Sequence, residues 1–111
     1  MHITDSRLGR AWVVSVSGRL DSSTALAFET HCDQLVAAGA TVFVLDFQAL
    51  SYINSFALRS LILLHKNVKP RGGQVVICGA RGTTKEVLDS LGFAEMFPIT
   101  DTLEQAASLV D

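Results

Sequence analysis

One hydroxyl, Ser55, stands where a strand pattern gives way to a helix pattern. Helix starts carry unpaired N–H groups and the positive end of the dipole. A serine there either caps the helix or offers an exposed hydroxyl to a modifying group. Its neighbour Asn54 is also a good capping residue. With Asn54 as the cap, Ser55 is left free to be modified. Asp21 follows one strand pattern and Asp46 ends another, so both either sit at the sheet edge that Ser55 shares or serve only as capping and turn residues. In parallel α/β sheets that carboxyl edge is where sites gather.

Other chemistries find little support. Ser55 lacks the glycines of a GxSxG elbow. His2, His31 and His65 show no triad arrangement with it, and His65 reads as a histidine at the edge of the core. No motif pairs two carboxylates. Cys32 and Cys78 have no CxxC spacing and no accompanying histidine pair, so they read as small buried thiols. The segment from Gly79 to Lys85 has glycine, threonine and lysine between a strand and a helix. A phosphate-binding loop, however, needs lysine directly after its second glycine, and no such pair exists here. We expect no catalytic residue, no cofactor and no metal.

The elements that position Ser55 come from a chain of 111 residues, read as one domain over residues 1–111. Hydrophobic content of 49% with 18% charged residues indicates a compact fold. Net charge is −2 and the basic residues are scattered, which argues against nucleic acid. No apolar run is long enough to span a membrane, and no signal pattern opens the chain. A cytoplasmic protein is expected.

In chain order, Met1 to Thr4 predict a short edge strand and Asp5 to Gly9 a turn. Ala11 to Ser17 alternate as a strand does, and Gly18-Arg19-Leu20-Asp21 is expected to break it, with Leu20 plugging the core. Ser22, Ser23 and Thr24 offer caps for a helix whose inner face is Ala25, Phe28, Cys32, Leu35 and Val36, and which Gly39 ends. Thr41 to Phe47 read as a strand covered on both faces. A loop leads to the central helix, and Gly72-Gly73 turns the chain. Gln74 to Cys78 form another buried strand. Thr83 with Glu86 matches a capping box ahead of a helix edged by Val87, Leu88 and Leu91 and stopped by Gly92. Met96 to Ile99 predict a short edge strand. Asp101 is expected to cap a last helix facing inward through Leu103, Ala107 and Val110. Strands alternating with helices imply an α/β fold: a mostly parallel sheet of four to five strands with about four helices.

At about 100° per residue the central helix sorts into two sides. Leu58, Leu61, Ile62, Leu64, His65 and Val68 face the core. Phe56, Arg59, Leu63, Lys66 and Asn67 lie opposite. Apolar groups among basic ones on an outer face mark a contact surface.

Three stretches together carry a family resemblance: Gly18-Arg19-Leu20-Asp21, the strand Val42 to Phe47, and Leu50 to Leu58. Across essentially the whole chain they resemble the STAS domain of bacterial anti-sigma factor antagonists. The resemblance implies the STAS fold and a non-enzymatic regulator. Its partner would be an anti-sigma factor with serine kinase activity, which phosphorylates the serine that Ser55 matches. The unphosphorylated form binds that partner, and a PP2C-type phosphatase resets the switch. The expected partner-binding residues are Asp21 and Asn54 near that serine, with Phe56, Arg59 and Leu63 from the outer face of the central helix. Where the family usually reads Asp-Ser-Ser/Thr-Gly-Leu, this chain has Asn54-Ser55-Phe56-Ala57-Leu58. The Ser-Phe pair is similar to STAS subunits of stressosomes. The alternative is therefore a structural subunit of a stressosome or transporter complex, without a phospho-switch.

Overall fold

The computed structural model describes residues 1–110. Six strands and four helices follow in the order β1 (His2–Leu8), β2 (Ala11–Leu20), α1 (Ala25–Ala37), β3 (Val42–Asp46), β4 (Leu50–Ile53), α2 (Ser55–Val68), β5 (Gln74–Cys78), α3 (Gly82–Ser90), β6 (Ile99–Thr100) and α4 (Leu103–Val110). The sheet runs β1-β2-β3-β5-β6, and β4 pairs with β2. Among the described residues only the β1–β2 pair is antiparallel. A mostly parallel α/β sheet is thus what forms, with one strand more than the expected upper limit of five.

Both faces of the sheet are covered, which explains why β3 and β5 read as unbroken apolar runs. On one face Val14, Val16, Phe43, Leu45, Val75 and Ile77 pack with Phe28 of α1, Leu61 of α2 and Leu88 of α3. On the other, Val13, Val42, Val44, Val76 and Cys78 meet Ala106 and Val110 of α4.

Several local expectations give way to tertiary structure. Asp5 to Leu8 are strand, not turn: β1 pairs with β2 along its whole length while mostly exposed. An edge strand held by ladder hydrogen bonds needs no apolar alternation. Gly18 does not end β2. It takes φ +87° at a register shift, and the strand runs on to Leu20, which is fully buried. Glycine alone occupies that left-handed region cheaply. The loop expected before the central helix contains β4, which lies parallel to the tail of β2 with Leu50 and Ile53 buried.

Helix ends, too, depart from the local pattern. Helix α3 starts after Arg81, so Thr83 falls inside its first turn and its hydroxyl donates to the Ser51 carbonyl instead of capping. Leu91 sits past the end of α3 and is exposed rather than on its apolar edge. Thr102, not Asp101, caps α4. Its hydroxyl accepts the Gln105 N–H, while the Gln105 carboxamide oxygen accepts the N–H groups of Asp101 and Thr102. This is a capping box one residue later than expected. On α4, Ala106 is buried whereas Ala107 is only half-buried. Met96 to Pro98 are not strand. Phe93 and Phe97, four apart, turn together into the core with rings stacked at 5.7 Å, and only Ile99–Thr100 pair with β5.

The two cysteines are free and buried on opposite faces of the sheet. Burial pushes each thiol from 9.0 up to about 12, with Asp33 adding to the effect at Cys32, and Asp46 and Glu104 at Cys78. A folded-state value above the unfolded one favours folding below pH 9.0, and this contribution is lost as pH rises toward 12. The expected outcome is that neither thiol reacts with a neutral-pH thiol reagent until the chain unfolds. Prompt stoichiometric labelling of the native protein would contradict this placement.

Candidate functional site

Two strand tails and a helix start build the site. The bulge at Gly18 carries β2 onward so that Leu20 lies opposite Ile53. The Asn54 N–H then donates to the Leu20 carbonyl at 3.3 Å, tying the loop to β2 just before α2 begins. Asn54 is extended (φ −115°, ψ 173°), and its carboxamide oxygen accepts the Ala57 N–H at 3.0 Å. This is an N-cap in the usual geometry. Replacing Asn54 with alanine should lower stability by about 1 kcal/mol, read as a shift in the chemical-denaturation midpoint, and Asn54→Asp should retain the cap. Equal losses from both would contradict a capping role.

Ser55 is the first residue of α2 and is exposed. Phe56 is 52% exposed and Leu63 37%, and Arg59 lies open between them. Leu58, Leu61, Leu64 and Val68 turn inward as their spacing requires. Ile62 and His65 are half-buried at the edge, and the His65 ring meets Phe97 edge-on at 5.3 Å. Two inward positions lie outside the expected apolar face. Ala57 packs into the core, and Ser60 is buried because its hydroxyl donates to the Glu29 carboxylate of α1 at 2.9 Å.

Asp21 shapes the adjacent turn. Its carboxylate accepts the Ser23 hydroxyl at 2.7 Å and the Ser23 N–H at 3.0 Å, and lies 3.5 Å from Arg19 Nε. The Ser23 hydroxyl, then its N–H, holds the carboxyl below its ordinary 3.8, with Arg19 helping and partial desolvation opposing. The contribution to folding is present above pH 3.8 and disappears in more acidic solution. Asp46 accepts the Gln48 N–H at 3.0 Å in a similar turn role.

Nothing local in the sequence marks Arg19 and Tyr52 as partners. The Arg19 guanidinium nevertheless lies 4.0 Å from the centre of the Tyr52 ring. They meet because they pair across β2 and β4. The pair adds a cation on an aromatic ring to the same edge. No group of histidine, cysteine and carboxylate side chains suited to a metal occurs among the described residues. No helix there is long and apolar enough to cross a membrane.

Comparison with known proteins agrees with this architecture. Residues 3–106 match the STAS domain family. The chain is 29% identical to a Bordetella bronchiseptica protein that bears the name "Putative anti-sigma factor antagonist BtrV", over 97% of this chain and 93% of that one. It is 31% identical to the anti-sigma-F factor antagonist RsfB of Mycobacterium tuberculosis, over 85% of this chain and 76% of that one. The crystal structure of an anti-sigma factor antagonist from Mycobacterium paratuberculosis superposes with a TM-score of 0.88 at 27% identity, covering 98% of this chain and 92% of that one. The chain belongs to the STAS domain family.

Proposed function

We propose that this protein is an anti-sigma factor antagonist switched by phosphorylation of Ser55. In this reading the unphosphorylated form binds an anti-sigma factor that is also a serine kinase. That kinase transfers the γ-phosphoryl group of ATP to the Ser55 oxygen, which gives up its proton as ADP leaves. A PP2C-type phosphatase restores the hydroxyl. The names of the relatives support the antagonist role.

One observation carries the switch: Asn54 caps the helix, so Ser55 is exposed and not required for the fold. A phosphate there adds about −1.5 to −2 charge at neutral pH. It would sit at a helix N-terminus, where free N–H groups and the dipole favour an anion. Arg59 stands one turn on, at the spacing that brings side chains together. The phosphate therefore engages Arg59, withdraws it from the partner, and places unbalanced negative charge beside Phe56, at the start of the stripe that runs on to Leu63. Release follows from repulsion and desolvation, with the helix intact. Asp21 and Asn54 hold the edge that the partner reads.

The test mixes the protein with its candidate kinase and ATP and maps phosphate by mass spectrometry, comparing wild type with Ser55→Ala. Phosphate on Ser55 alone is expected. Phosphate on another residue, or none on either protein, would overturn the switch and favour the structural-subunit alternative.

A further inference from the structure

We propose that the outer face of α1 and α2 pairs with the same face of a second copy of this chain. Both helices begin at the carboxyl edge of the parallel strands, so they run side by side in the same direction. The Ser60–Glu29 bond sets them level. Glu29, Cys32 and Asp33 share one cleft with Ser60, Leu63, Leu64 and Asn67. On that register Leu26 lies level with the first turn of α2, and Arg59 and Lys66 lie within about half a turn of the heights of Glu29 and Asp33.

The face is ordered by charge. Glu29 and Asp33 stand on the α1 side, Arg59 and Lys66 on the α2 side. Leu26 (72% exposed), Phe56 and Leu63 lie on the same face. Asp33, Arg59 and Lys66 enter no ion pair within the described chain. Such a surface is its own complement. A two-fold axis parallel to the helices, in the plane of contact, lays α1 of one copy on α2 of the other at the same height. Leu26 then meets Phe56 across the axis, while Glu29 and Asp33 face Arg59 and Lys66. This is the isologous arrangement in which one patch serves both subunits. An apolar patch alone would suit many partners; opposite charges at matched heights single out the second copy. If Phe56, Arg59 and Leu63 bind an anti-sigma factor, as proposed above, dimer and complex exclude each other.

Sedimentation velocity of the purified protein from micromolar to millimolar concentration tests the pairing without kinase or phosphate, so its outcome is separable from that of the switch. A concentration-dependent dimer is expected. Asp33→Lys and Lys66→Glu should each weaken it about tenfold or more through like-charge contacts. The double exchange should restore it, because the two reversed charges then face each other, opposite in sign, across the axis. Circular dichroism checks the fold of each variant. Amide shifts of the wild type on dilution, expected only along α1 and α2, decide the matter should a variant misfold. A monomer throughout, shifts elsewhere, indifference to both single changes, or failure of the double exchange would overturn the proposal; in the first case the face is left to a different partner.

Discussion

Ser55→Asp should keep the fold of the wild-type protein and weaken binding of the anti-sigma partner by about tenfold or more. The two halves of this result have separate causes. Ser55 is exposed and its neighbour Asn54 holds the cap. A carboxylate in the first turn adds about 0.3–1 kcal/mol of favourable dipole interaction instead of costing stability. At the proposed contact surface the same charge lies beside Phe56, at the start of the stripe that runs on to Leu63, where burial of an unpaired anion is costly. One carboxylate carries less charge than a phosphate, so the authentic phosphoprotein should be weaker still. Thermal unfolding and titration calorimetry read the two effects independently. A loss of stability as large as the loss of binding would contradict the switch, because it would mean that Ser55 acts through the helix.

Phe56→Ala should cost the partner complex about 2 kcal/mol, roughly thirtyfold in affinity, while changing stability by less than about 0.5 kcal/mol. The ring is 52% exposed, so much of its area is available for burial against a partner, and it is placed centrally beside Ser55 and Arg59. Leu61, five residues on in the same helix, is fully buried and provides the contrast. Leu61→Ala should lower stability by about 2–5 kcal/mol through the cavity it leaves. Measuring both variants by denaturation and by partner titration separates contact surface from scaffold. Unchanged affinity in Phe56→Ala would remove this face from the interface.

The two helices differ in how far local pattern prescribes them. Along α2 the apolar spacing assigns the inward residues almost completely, since a helix exposes its faces at a set angle per residue. Ser60 escapes that pattern. Its burial depends on Glu29, which arrives from a helix about thirty residues earlier. For α3 and α4 the caps are misassigned by pattern, because Thr83 and Thr84 both stand near the start of α3 and Asp101 and Thr102 both stand ahead of α4. The competition is settled by neighbours such as Ser51 and Gln105.

Periodicity in the sequence by itself determined the alternation of strands and helices, the buried character of β3 and β5, and the placing of Asn54 and Ser55 at a helix start. These depend on side chains close together in the chain. Only the tertiary structure decided that β2 continues through Gly18, that Leu50–Ile53 is a strand, and that Arg19 stacks on Tyr52. A four-residue strand is too short to carry a period of its own, and its existence depends on the ladder offered by a distant partner. The same holds for the apposition of α1 and α2. Nothing near Leu26 in the chain announces Phe56, and it is the parallel course of two helices over one sheet that brings them level.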